Sequence, residues 1–158
     1  MRKKKIQVSE LGRSMAEMLG VLAIIGVLSI GGIAGYTYAM NKHRTNVLIN
    51  GALLRGYTVV GQLMSGRTTT SLSEFNGEEV TIGGTFANNI IDDGAGGFGI
   101  LISGVNEAVC KNMIKAVSES ASIKAVTKEY DIDNPLTESD CNGGNKNFFV
   151  VFNKSSMC

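Results

Sequence analysis

The sequence predicts an α+β fold: one long amino-terminal helix, its first half membrane-spanning, carrying a small antiparallel sheet domain. Three observations point there. No charged residue occurs from Met18 to Met40, a run that exceeds the roughly 20 apolar residues needed to cross a bilayer as a helix. From Asn41 to Gly66 apolar residues recur at helical spacing. Beyond that, short apolar runs bounded by Gly, Asn and Ser alternate with one amphipathic segment, the order expected of an antiparallel sheet with a helix against it.

The length of 158 residues suits one domain plus an anchor. The formal net charge of +1 implies no nucleic-acid partner. The basic residues are concentrated instead in the leader MRKKKIQVSELG, where Arg2, Lys3, Lys4 and Lys5 stand against Glu10. Residues 1–12 hold four of the 15 basic and one of the 14 acidic residues, so the remaining 146 residues would carry 11 basic and 13 acidic groups.

The apolar run has Arg2, Lys3, Lys4, Lys5 and Arg13 before it and only Lys42 and Arg44 after it. That excess predicts the amino end in the cytoplasm and the rest translocated. The run is longer than the core of a secretory signal and no A-x-A cleavage site follows it, so a retained membrane anchor is expected, with membrane lipid as its surroundings. One acid, Glu17, sits at its edge. A carboxylate there is costly and usually has a partner. Ser14 and Glu17 also have the S-x-x-E spacing of a capping box, and both readings stay open at this point.

Gly12, then Glu17 five residues on, then an unbroken apolar helix resembles the class III leader and amino-terminal helix of type IV pilins. The resemblance implies a prepilin peptidase that cuts after Gly12 and methylates the new terminus, Arg13. It implies that Glu17 pairs with the terminal amine of a neighbouring subunit during assembly. Arg13 departs from the apolar residue usual at that place. The implied parts are a leader over 1–12, a transmembrane and filament-core helix over 13–40, its amphipathic continuation over 41–66, and a globular head over 67–158. Gly31-x-x-x-Gly35 is a small-xxx-small pattern that lets helices approach closely, although glycine is common in membrane helices anyway. In pilins a segment in this region can unwind in the filament, and Gly31 to Gly35 would be the soft point. Pro135 is the only proline.

In the continuation, Ile49, Leu53, Val60 and Leu63, with Leu54, Tyr57 and Met64 beside them, form the expected core face, interrupted by Lys42, Arg44, Asn50 and Arg55. Gly66 is the expected stop. Arg67 to Gly97 reads as a loop region with short strands near Val80–Ile82 and Phe86. Asp92, Asp93 and Gly94 read as a solvated turn because the full spacing of a calcium loop is absent; Asp131 and Asp133 read the same way. Strands are expected at Phe98–Ser103 and Ile123–Tyr130, a helix at Asn106–Ser118, a turn at Asn134-Pro135, and an apolar central strand at Phe148–Phe152.

Three cysteines allow three single bridges, and spacing does not choose among them. An exported domain favours oxidation. The strand, the E-A-V-C-K-N-M-I helix and a later cysteine before a terminal apolar strand resemble the type IVb pilins, the branch of toxin-coregulated and conjugative thin pili. That resemblance implies a Cys110–Cys141 disulfide and assigns nothing to Cys158.

No nucleophile elbow, phosphate loop or Cys/His metal spacing occurs, and His43, the one histidine, sits beside Lys42 and Arg44 as a solvated helix residue. No enzymatic activity, cofactor or metal is expected. The expected function is that of a structural pilin subunit which polymerises with other copies, through the inner-membrane assembly machinery, into a surface pilus serving adhesion, aggregation or motility. A type II secretion pseudopilin shares the amino-terminal signature and is the nearest alternative. A single-pass anchored periplasmic binding domain is the alternative of another class.

Overall fold

A helix of 57 residues, α1 (Val8–Met64), opens the computed structural model, which describes residues 8–68, 78–92, 97–128 and 131–153. The chain divides into two compact units, Met1–Ala39 and Met40–Cys158. In the first unit every described side chain, from Met15 to Ala39, is exposed. The backbone stays helical through Gly31 and Gly35. α1 ends where expected. Gly66 adopts φ +88°, its N–H donates to the Leu63 carbonyl, and the Arg67 N–H donates to the Gln62 carbonyl. This pair of bonds is the Schellman closure, and its left-handed residue favours glycine.

The second unit holds β1 (Glu79–Val80), β2 (Thr85–Asp92), β3 (Gly97–Val105), α2 (Glu107–Ser118), β4 (Ile123–Lys128), β5 (Asp131–Pro135), a 3₁₀ turn (Glu138–Cys141) and β6 (Lys146–Asn153). The strands form one six-stranded sheet, order β1-β2-β3-β6-β4-β5, with every neighbouring pair antiparallel. The α+β class is therefore as predicted, and β6 is central. Its FFVVF run is apolar at every position because both faces of a central strand are covered. Phe148, Val150 and Phe152 join the main core with Phe98, Ile100 and Ile102 of β3, while Phe149 and Val151 join Leu101 in a second cluster on the opposite face. Phe98 and Phe152, paired in register, stack with centroids 5.3 Å apart.

The second half of α1 covers the main face with the expected Val60 in the core and Ile49, Leu53 and Leu63 packed against it, but the residues beside them are not the ones expected. Thr45, Leu48, Ala52, Arg55, Gly56, Val59 and Val60 are buried, Ile49, Leu53 and Leu63 are partly so, and Leu54, Tyr57 and Met64 are exposed. The reason is distance. Gly51 faces the Phe86 ring so closely that a Cβ there would sit 2.8 Å from it. The Phe86 ring therefore requires a small residue at this point of the contact face, while Leu48, Val59 and Val60 fill it on either side. Thr45 is accommodated by donating its hydroxyl to the Asn41 carbonyl at 2.9 Å.

α2 begins as its sequence dictates. The Asn106 side chain accepts the Val109 N–H at 2.9 Å, satisfying one of the helix's free donors. Val109, Cys110, Met113 and Val117 are buried.

Three local expectations are corrected. β2 is an eight-residue strand rather than a short segment of a loop region. It escapes notice because the register shifts between Phe86 and Ile90, a bulge that absorbs the poor strand formers Asn88 and Asn89 and still returns Ile90 to the core face. Asp92, expected in a turn, closes this strand, and Ile82, expected in a strand, lies in the turn between β1 and β2. Asn134 and Pro135 are not a turn but the end of β5, with Asp131 and Asp133 in the same strand. β5 is an edge strand, where the missing proline N–H costs no ladder bond. Asp93, Gly94, Tyr130 and Cys158 lie outside the described residues.

Candidate functional site

Gly12, Arg13 and Glu17 fall together in the opening turns of α1. Glu17 is exposed; the side chains at 12 and 13 are outside the described set. The capping-box expectation is not met in the uncut chain. α1 already runs from Val8, so Ser14 occupies a helix interior, whereas an N-cap residue must have non-helical backbone angles.

Beyond Glu17, α1 is an apolar cylinder. Leu19, Ile24, Val27, Ile30 and Ile33 are exposed around its circumference. α1 is the one helix among the described residues long and apolar enough to cross a membrane. Contiguous apolar surface of this extent is not left to water by soluble monomers. Glycines add room: a Cβ built at Gly31, Gly32 or Gly35 meets nothing within 4 Å, so no contact among the described residues calls for them.

The other expected pair is assembled. Cys110 of α2 and Cys141 of the 3₁₀ turn form a disulfide, Cα–Cα 5.8 Å, across a separation of 31 residues. Both are fully buried. The bridge encloses α2, β4 and β5, and ion pairs reinforce it from the surface: Lys115 to Glu138 at 3.5 Å and Lys128 to Asp140 at 3.4 Å. Asp140 caps the turn holding Cys141. It accepts the Thr137 hydroxyl at 2.6 Å and the Thr137 N–H at 2.9 Å. These two bonds, with Lys128 behind them, hold its carboxyl down at about 2. Glu107 is likewise lowered, chiefly by the Lys111 ammonium at 2.6 Å.

Arg55, an interruption of the core face in the sequence pattern, belongs to the core. It is 7 % exposed and paired at 3.1 Å with Glu79 of β1. No acid occurs from Met18 to Ser73, so its partner had to come from another element, which no local pattern announces. The T-x-x-D spacing of Thr137 and Asp140 could have been found in the sequence.

His43 is exposed. Among the described residues, no group of three or more His, Cys, Asp and Glu is arranged to hold a metal ion. A groove of about 170 Å³ between the end of α2 and β4–β5, lined by Ile114, Val117, Val126 and Leu136, is shallow and carries no set of convergent polar groups. The first unit thus offers an apolar helix surface with an acid at one end, and the second a disulfide-closed head. The layout, a long amino-terminal apolar helix with an antiparallel sheet domain packed on its second half, resembles that of pilins. Comparison with family models, with curated proteins and with solved structures finds no match to this chain.

Proposed function

We propose that this chain is a structural subunit of a type IV pilus, most like the type IVb pilins. The observation that carries the reading is the pairing of a self-sufficient head, with its own core and disulfide, and a helix whose apolar circumference is exposed from Met15 to Ala39. Such a helix needs apolar surroundings supplied from outside the chain. The inner membrane supplies them first, and the helices of other copies supply them once the subunit is extracted into a filament. The mechanism is polymerisation, with the heads outside and the filament displayed at the cell surface.

In this reading a prepilin peptidase removes residues 1–12 after Gly12, and the Arg13 amine of one subunit meets Glu17 of another. A charge shielded from water inside a helix core costs several kcal/mol unless paired, so the pair selects the axial register of the helices. Glu17 serves assembly in this reading, a role compatible with capping once the cut makes Ser14 the second residue of the helix. The disulfide-closed carboxy-terminal region favours a pilin over a type II secretion pseudopilin.

The test is amino-terminal sequencing of filament subunits together with filament counts at equal subunit levels. Subunits should begin at Arg13, and Gly12→Val should block cutting. Glu17→Ala and Glu17→Gln should both insert in the membrane and both assemble poorly. Filament subunits that still begin at Met1, or normal filaments from both Glu17 variants, would overturn the reading.

A further inference from the structure

The second unit begins with a basic collar. Lys42 and His43 are exposed and Arg44 is partly so; they come directly after the uncharged Met18–Met40 run and Asn41 in sequence. Three consecutive residues on a helix fan over about 200°, so these groups spread over about half of the α1 circumference instead of forming one patch. Among the described residues none of the three makes an ion pair, and no acid occurs between Glu17 and Glu74 in sequence. The Arg44 Nε is buried and has no hydrogen-bond partner.

A rigid apolar tip stands at the same level. The turn Thr81–Gly84 is tied by the Thr81 N–H to the Gly84 carbonyl at 2.9 Å and by the Thr81 hydroxyl to that same carbonyl at 2.6 Å. Gly83 lies flat on α1: a Cβ there would stand 2.8 Å from the Arg44 carbonyl oxygen and 2.9 Å from the Leu48 Cγ. This close contact fixes the height of the turn on the helix. Its neighbour Ile82 is left 54 % exposed.

We propose that Lys42, His43, Arg44 and Ile82 form a docking collar for the surface of an anionic phospholipid bilayer, Lys42 and Arg44 on headgroup phosphates, His43 as a hydrogen-bond donor beside them and Ile82 in the acyl boundary. The inference rests on the membrane-anchored reading of the apolar run. It adds that the head is seated on the leaflet through this turn rather than swinging free above it. Charge complementarity decides the partner: Lys42 and Arg44, which make no ion pair among the described residues, suit phosphate-bearing lipids, each strengthening association roughly fivefold beside an anionic surface. An apolar residue beside basic ones is the pattern of interfacial segments.

The chain contains no tryptophan, so Ile82→Trp supplies a sole reporter at an exposed position. The full-length variant is placed in nanodiscs of phosphatidylcholine, alone or with phosphatidylglycerol. Resistance to alkaline carbonate in membranes establishes insertion beforehand. With phosphatidylglycerol the emission should shift to the blue and be quenched by brominated acyl chains at least about twofold more than without it. Adding Lys42→Gln should narrow that difference, with Arg44 left to sustain the remainder, and inorganic phosphate should not reproduce it. Water-like emission in an inserted chain, or equal quenching in both lipids, would overturn the collar and leave the anchor reading standing. A shift produced equally by free phosphate would overturn the bilayer as partner. Release by carbonate would overturn the anchor and the collar together.

Discussion

The guanidinium of Arg55 lies 5.0 Å from the centroid of the Phe86 ring, while its Nη2 donates to the Glu79 carboxylate at 3.1 Å. A cation buried on the face of α1 is thereby held by β2 on one side and by β1 on the other. Glu79 is 63 % exposed at its side chain, so water shares in the pair and its own contribution is modest. The ring contact is sheltered. Arg55→Met keeps the length of the side chain and should destabilise the head by about 2 kcal/mol, the sum of a lost charged hydrogen bond and a lost cation–π contact. Glu79→Gln should cost about 1 kcal/mol or less. Thermal unfolding of the full chain in mild detergent checks both, and a larger loss from Glu79→Gln would show that the ion pair, not the ring, stabilises Arg55.

The Cys110–Cys141 bridge predicts a second outcome. Closing a loop across 31 residues stabilises by roughly 3–4 kcal/mol through chain entropy. The surface ion pairs around it are worth at most about 1 kcal/mol each and do not replace it. Cys110→Ser with Cys141→Ser should lower the melting temperature by about 10 °C or more, and reductant should act on the wild type alone. Non-reducing peptide mapping should recover the Cys110–Cys141 peptide; a dominant Cys141–Cys158 peptide would contradict the structure.

Acid stability should report Asp140. Its carboxyl is held at about 2 in the folded head, chiefly by the Thr137 hydroxyl and N–H, against about 3.9 when unfolded. Because the folded value is the lower one, the stabilisation is present above about pH 4 and is lost as pH falls toward about 2. Asp140→Asn should therefore lower the melting temperature at neutral pH, and the gap between wild type and variant should close across that acid window. A gap that persists unchanged at the lowest pH would assign the effect to the lost capping geometry and not to the charge.

Gly31→Ala and Gly35→Ala separate a role within the subunit from a role between subunits. Open space surrounds the position of each added methyl, and alanine favours helix by about 1 kcal/mol over glycine in water. The variants should insert normally and leave the melting of the head unchanged. Filament yield should fall several-fold if the Gly31-x-x-x-Gly35 face is a helix contact. Normal filaments would show that no close helix approach uses these residues.

Local chemistry determined much of this protein without help from the fold. The uncharged run from Met18 to Met40, the stop at Gly66, the helix that follows Asn106 and the all-apolar FFVVF strand each depend on residues within a few positions of one another, and the structure has each of them where the sequence places it. The tertiary structure decided what depends on distance between elements. Phe86 packed against Gly51, and the sheet took Leu48, Ala52 and Val59 inward while Tyr57 and Met64 stayed outside. The partner of Arg55 came from β1, the Asn88–Asn89 bulge hid the length of β2, and Pro135 became part of a strand because β5 lies at the sheet edge. The cysteines show the same division. Spacing left three pairings open, and only the packing of α2 against the 3₁₀ turn brings Cys110 and Cys141 to a Cα separation of 5.8 Å, within the short reach that a disulfide requires.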